Sequence, residues 1–210
     1  MTLPRQAPSP TVRLIEDDDG EVTLYLDDGQ AMQAWEAPLM EASADMMCEF
    51  GSEFLEAGLG LGISALRVAS NARTIRHVVV ERHAEVIRLF GERHEHPPAT
   101  LAIVHGDFFE VIRETQPESV DGIFFDPYLG ASDVWQDPEL WAAFVPLMLR
   151  ALRPGGALMP CFTEQPVLRA EFLPFFERVI VERRPFTTYA NTTYTTQRTG
   201  DGFIQCFVKR

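Results

Sequence analysis

The chain has 210 residues, 46% of them hydrophobic and 23% charged, and a formal net charge of −13. That length suits one domain with a well-buried core rather than two, and no apolar run approaches the ~18–20 residues of a membrane helix. The acidic balance, with no basic cluster beyond the pairs Arg183-Arg184 and Lys209-Arg210, argues against a duplex nucleic-acid partner and favours a cationic or neutral one.

Met1 to Pro10 carries no apolar h-region or small-residue cleavage site. The three cysteines, Cys48, Cys161 and Cys206, are far apart and form neither a CxxC pair nor a His/Cys cluster. A reducing, cytoplasmic setting is therefore expected, with no disulfide framework and no metal.

In chain order, residues 1–12 read as a loose tail. Val12–Ile15 and Val22–Leu26 flank the turn Asp17-Asp18-Asp19-Gly20 and read as a hairpin, followed by a second turn at Asp27-Asp28-Gly29. Gln30 to Glu49 has apolar residues at helical spacing, with Pro38 as a break. Residues 1–50 thus form an expected hairpin-and-helix cap ahead of a main domain over 51–210. From Ser52 strands and helices alternate. Strands are expected at Phe54–Glu56, Val78–Val80, Leu101–Val104, Ile123–Phe125, Ala157–Met159, Val179–Val181 and Phe203–Val208. Helices are expected at Ile63–Ala72, Ala84–Arg93, Pro138–Leu152 (kinked at Pro146) and Leu168–Phe176. The turn Arg153-Pro154-Gly155-Gly156 precedes the fifth strand. This order predicts an α/β fold, a mostly parallel sheet with helices on both faces.

Glu56-Ala-Gly58-Leu59-Gly60-Leu-Gly62 joins the first main-domain strand to its helix. Glycines there let the backbone turn sharply and a ligand approach its amides. Glu81 ends the next strand, placed to accept hydrogen bonds from ribose hydroxyls, with Arg82 after it. Gly106 and Asp107 follow the third strand. Asp107 suits either the exocyclic amine of adenine, with Phe108 near the ring, or a helix N-cap. Asp126 ends the fourth strand in Phe125-Asp126-Pro127-Tyr128. All four acids fall at carboxyl ends of strands, where ligands of open α/β sheets bind.

This layout resembles the class I S-adenosylmethionine-dependent methyltransferases over roughly residues 52–208. The resemblance implies a Rossmann-like fold with a seven-stranded, mostly parallel sheet and an antiparallel last strand. An NAD(P) enzyme shares the glycines and the ribose acid, but does not call for Glu56 or the acid-Pro-aromatic step.

Ahead of the glycines, Met32-Gln-Ala-Trp35-Glu36-Ala-Pro38-Leu-Met40 is similar to the N-terminal segment of guanidinoacetate N-methyltransferase and its guanidino-modifying relatives. That resemblance implies that Met32 and Met40 touch the cofactor, S-adenosyl-L-methionine. It implies that Glu56, Gly58, Leu59, Gly60, Gly62, Glu81, Arg82, Gly106, Asp107, Phe108 and Asp126 belong to its site. Glu36 and Asp126 then hold the guanidino group, with Asp126 as base. A guanidinium is flat, cationic and resonance-stabilised, hence a poor nucleophile. Two carboxylates can grip it bidentately, draw charge from the attacking nitrogen and take its proton.

Tyr128, Thr163 and Glu164 are the further expected acceptor contacts. Glu164 disfavours a substrate carboxylate and favours an ammonium, which puts free L-arginine ahead of guanidinoacetate. The Thr-rich stretch Thr187–Thr196 is a second candidate wall. Trp35, Met32 and Met40 also fit a plain core role, and Glu36 a surface one. The expected partner is a small guanidino compound, with no nucleic acid and no membrane; a homodimer stays open. Two alternatives remain at this stage: methylation of an amide or exocyclic amine on a macromolecule, and a non-catalytic cofactor-binding protein.

Overall fold

The computed structural model describes residues 10–129, 137–170 and 172–210; most of the expected N-terminal tail lies outside them. A small antiparallel sheet contains β1 (Val12–Glu16), β2 (Val22–Leu26) and β3 (Gly29–Gln33) in that order. A second sheet has seven strands: β4 (Glu53–Ala57), β5 (Arg76–Glu81), β6 (Leu101–His105), β7 (Val120–Phe125), β8 (Leu152–Pro160), β9 (Arg178–Thr187) and β10 (Thr199–Val208). Their spatial order is β6-β5-β4-β7-β8-β10-β9. Strands β4 to β8 pair in parallel, and β10 runs against both β8 and β9. This is the expected seven-stranded Rossmann-like sheet with its last strand reversed. Among the described residues no helix is long and apolar enough to cross a membrane.

Among the described residues five α-helices accompany the sheets: α1 (Ala37–Met47), α2 (Ile63–Ala69), α3 (Ala84–Arg93), α4 (Phe108–Glu114) and α5 (Pro138–Ala151). The central strands are apolar on both faces because both are covered. Phe54, Val79, Phe124 and Met159 pack with Met40 and Met47 of α1, Val68 of α2 and Phe90 of α3. Their strand neighbours Leu55, Val80, Ile123 and Leu158 turn to the other side, against Ile112 of α4 and Trp141 and Met148 of α5. Leu24, Leu26 and Met32 of the small sheet join the first of these cores. The N-terminal segment is thereby tied to the large sheet by buried apolar surface.

Four local expectations change. Gly29–Gln33 pairs with β2 instead of starting a helix. Pro38 stands in the first turn of α1, where a missing N–H costs nothing, so it begins the helix rather than breaking it. Over Leu168–Phe176, where a helix was expected, the described residues form only a 3₁₀ turn at Leu173–Phe175; the Arg169 N–H is taken by Gln205 Oε1 at 3.0 Å, and prolines stand at 166 and 174. The Arg153-Pro154-Gly155-Gly156 turn is an irregularity inside β8, with Gly155 at φ +78°. Helix α4 is foreshadowed in the sequence only by the N-cap alternative for Asp107, while α5 is continuous through Pro146.

Candidate active site

Between β4 and β7 the strand order reverses direction, opening a crevice at the carboxyl ends of the strands. A cavity of about 1010 Å³ lies there. It is walled by β2 and β3, the glycine turn after β4, the exits of β7 and β8, and the loop between β9 and β10. Four carboxylates line it, Glu36, Glu56, Asp126 and Glu164, with Arg169 as the one arginine or lysine among its described lining residues. Such a cavity favours cations.

The glycine turn is shaped by close approach. Gly58 has φ +88°, and a Cβ there would lie 2.9 Å from the Asp126 carbonyl oxygen. Gly60 has φ +52°, and a Cβ would lie 2.7 Å from Met32 Sδ. The Leu61 N–H meets that same sulfur at 3.2 Å. Met32 thus packs on the turn while lining the cavity, as do Met40 and Leu59. Gly62, the N-cap of α2, lies against the Phe90 ring, away from the lining.

Glu56 is 1% exposed and accepts from the Ser64 hydroxyl at 2.5 Å. Its other oxygen lies 2.9 Å from His77 Nε2, out of line for a hydrogen bond, and His77 Nδ1 is 3.3 Å from the Ala65 carbonyl. Glu81 is also buried: its two oxygens accept from the N–H groups of Leu59 (2.8 Å) and His83 (2.7 Å). It sets the turn's shape from behind. Arg82 is exposed, and its carbonyl contacts His105. The Gly106 N–H donates to the Glu81 carbonyl at 2.9 Å. Asp107 caps α4 by accepting from the Phe109 N–H at 2.8 Å, and Phe108 packs edge-on against Phe125. Glu81, Arg82, Gly106, Asp107 and Phe108 flank the glycine turn and are not among the residues lining the cavity.

Glu36 closes a single 3₁₀ turn, Ala34–Glu36, and is 8% exposed. Its Oε1 accepts from the Gln33 N–H at 2.8 Å and the Tyr194 hydroxyl at 2.6 Å. Burial pushes its carboxyl up to about 7, against the opposing effect of those two bonds and with help from the charges of Asp126 and Glu164. Asp126, at the tip of β7, is raised to about 6, chiefly by burial and then by the Glu56 charge; Arg169 and the Cys161 thiol pull the other way. Glu36 and Asp126 therefore line one cavity in which burial favours the protonated form of both, and the Asp126 charge adds to the effect at Glu36.

Tyr128 is 43% exposed, lines the cavity and holds its hydroxyl over Gly29. Thr163 pairs with Phe203 and donates its hydroxyl to the Gln165 carbonyl at 2.9 Å. Glu164 accepts from the Thr195 hydroxyl at 2.5 Å. Tyr194 lines the cavity from the Thr187–Thr196 stretch expected as a second wall, whereas Arg169 and Cys161 also line it without having been singled out as contacts from the sequence. Arg169 Nη2 lies 2.9 Å from Cys161 Sγ and 3.2 Å from its carbonyl oxygen. No spacing rule marks them, because each comes from an irregular segment.

Residues 15–167 match the family model described as guanidinoacetate N-methyltransferase. The chain belongs to that family. Its fold is shared more widely. Spermidine synthase from Thermotoga maritima superposes with a TM-score of 0.70 at 15% identity, over 98% of this chain and 71% of that one. A spermidine synthase in complex with the transition state analogue AdoDATO gives 0.70 at 16%, over 98% and 72%. A Klebsiella pneumoniae protein described as an O-methyltransferase gives 0.54 at 16%, over 83% and 81%.

As a member of this family the chain is a methyltransferase, and its fold implies S-adenosylmethionine as the methyl donor. The site fits such a cofactor on its own terms. The backbone at Gly58 and Gly60 is packed too closely for a side chain, and the carboxylates on the cavity wall suit a ligand bearing an ammonium and a sulfonium. Met32, Met40, Glu56 and residues 58–60 line the cavity and are the residues that could hold it.

Proposed function

We propose that this methyltransferase acts on the guanidino group of a small molecule, with free L-arginine as the first candidate and guanidinoacetate as the second. The observation that carries this reading is the pair Glu36 and Asp126, one buried and one half-buried carboxylate that both line the cavity holding the glycine turn. A guanidinium offers five N–H donors in one plane and neutralises both carboxylates at once. S-adenosylmethionine, when bound, supplies an electrophilic methyl on a sulfonium. Glu36 and Asp126 then orient the guanidinium and draw its positive charge toward the nitrogens they bind. The remaining nitrogen keeps more of its lone pair for the methyl. As that nitrogen forms its bond it becomes acidic, and Asp126, with a carboxyl raised to about 6, is matched to take the proton near neutral pH.

The order of acceptors follows from the β8 exit. Glu164 suits an ammonium and Arg169 a carboxylate, so the zwitterionic head group of L-arginine uses both, whereas guanidinoacetate uses one. The experiment is methyl transfer from labelled S-adenosylmethionine to L-arginine, guanidinoacetate, agmatine and a protein extract. The expected result is product from L-arginine, lost in Asp126→Asn and Glu36→Gln with cofactor affinity kept. Label appearing only in the extract would reassign the enzyme to a macromolecular amide or amine; cofactor binding with no turnover of anything would make it non-catalytic.

A further inference from the structure

The loop between β9 and β10, residues 188–198, contributes Thr193 and Tyr194 to the cavity wall and is sewn to the N-terminal segment. Gln30 Nε2 donates to the Asn191 carbonyl at 2.8 Å, and Gln30 Oε1 accepts from the N–H and hydroxyl of Thr193. Gln33 Nε2 donates to Asn191 Oδ1 at 2.8 Å, and Gln33 Oε1 accepts from the Thr192 hydroxyl and Trp35 Nε1. Trp35 stacks on Tyr194, with ring centroids 6.0 Å apart and planes at 20°, and also packs on Phe186. These contacts end at one functional bond, from the Tyr194 hydroxyl to Glu36 Oε1 at 2.6 Å.

A carboxylate on a flexible stem rotates easily about its last torsion, which is broad. Here both donors, the Tyr194 hydroxyl and the Gln33 N–H, converge on Oε1, and among the described residues no hydrogen-bond donor reaches Oε2. We propose that Tyr194 is a positioning residue of methyl transfer: it pins Glu36 through Oε1 so that Oε2 is presented to the acceptor guanidinium. This rests on the reading of Glu36 as a guanidinium-binding carboxylate. The phenol is suited to the task, since burial and the Glu36 charge hold its proton on, keeping it a donor. The charged groups facing Glu36 are Asp126 from the end of β7 and Glu164 from the β8 exit, both anionic, so the hydroxyl counters their influence.

The test is calorimetric binding of L-arginine to the full chain saturated with S-adenosylhomocysteine, from pH 6 to 9. Tyr194→Phe keeps the ring and its stack on Trp35 but removes the donor. Its affinity for L-arginine is expected to fall about 10- to 100-fold at pH 8, as for loss of a hydrogen bond to a charged group. The pH midpoint of binding should move above the wild-type value while S-adenosylhomocysteine affinity stays unchanged. In a Glu36→Gln background the same substitution should add little. Thr193→Ala loosens the loop without touching Glu36 and should leave the midpoint in place. Equal losses in Tyr194→Phe and Thr193→Ala with an unmoved midpoint would reduce Tyr194 to loop scaffolding and overturn the inference, as would wild-type binding by Tyr194→Phe. If the wild-type protein binds none of L-arginine, guanidinoacetate and agmatine, the functional reading itself fails and takes the inference with it.

Discussion

The Cα of Gly58 is seated against the backbone of Asp126: a methyl group added there would fall 2.9 Å from the Asp126 carbonyl oxygen and 3.1 Å from Pro127 Cα. The Asp126 N–H in turn donates to the Ala57 carbonyl at 3.2 Å. The glycine turn and the proposed base are packed directly against each other, where β4 and β7 lie side by side. A shift at one must be felt at the other.

Gly58→Ala is therefore expected to impair two functions together. The residue sits at φ +88°, where a side chain costs roughly 1–2 kcal/mol before any clash. The melting temperature should drop by about 3–8 °C for a chain of this size, with both cofactor affinity and turnover reduced. Gly91→Ala, on α3 with nothing within 4 Å of the added methyl, is the control. It should be neutral or slightly stabilising, because alanine favours helix. Thermal melts and cofactor titration on the two variants check this. A Gly58→Ala protein with wild-type affinity and activity would break the link.

Acceptor affinity should depend steeply on pH. Glu36 holds its proton up to about 7 and Asp126 up to about 6 in the cofactor-free protein, yet a guanidinium needs both ionised. Below pH ~7 affinity should fall about tenfold per pH unit, and more steeply below ~6, where two protons must leave on binding. The sign for stability is the reverse. An unfolded chain releases these protons near 4.5 and 3.8, so between those values and 6–7 the native state binds more protons than the unfolded one. Stability of the cofactor-free protein from these two groups therefore declines as pH rises from about 4 to 7. Melting curves at pH 5.5 and 8, with and without S-adenosylhomocysteine plus L-arginine, should show the ligands stabilising far more at pH 8. Equal ligand shifts at the two pH values would mean that the carboxylates do not titrate with binding.

What the sequence made legible was local. The seven main strands and the glycine turn show in hydrophobic runs and spacing, because each is fixed by its own few residues. Asp126 shows because strand ends at a switch point are where ligands bind. Asp107 had two readings on spacing alone, and the structure has it capping α4, a helix too short to betray itself by periodicity. Arg169 and Tyr194 lie on loops whose course is set by distant partners, Gln205 for one and Gln30, Gln33 and Glu36 for the other. His77 reads as an ordinary strand residue until its ring is found 2.9 Å from Glu56. Such cross-chain pairings leave no periodic trace.

Arg169 allows a sharper test of the acceptor's head group. It contacts Cys161, whose thiol bonds Asp126, and its charge lowers the proton affinity of that carboxyl. Arg169→Gln should thus raise the acid limb of kcat/KM for every acceptor. It should also weaken L-arginine at least tenfold more than agmatine, which has no carboxylate to lose a partner. Steady-state kinetics with both acceptors across pH separate the two effects. A loss of the same size for L-arginine and agmatine would leave Arg169 only its influence on Asp126.

Glu164 gives the complementary contrast. Its negative charge lines the cavity near Glu36 and raises that carboxyl's hold on its proton, while Thr195 donates a hydroxyl to its Oε2. Glu164→Gln keeps a group able to accept that bond and removes the charge. Two consequences of opposite sign follow. Glu36 should ionise more readily, so guanidinoacetate, which carries no ammonium, should bind as well or better at pH 6.5. L-arginine and agmatine lose an anionic partner for their amine and should bind about 5- to 50-fold more weakly, the range for a charge-assisted bond exposed to some solvent. The ratio of kcat/KM between L-arginine and guanidinoacetate is the readout, because it cancels any general damage to the protein. A ratio unchanged from wild type would mean that Glu164 does not face the acceptor's amine, and the preference for L-arginine over guanidinoacetate would lose its basis.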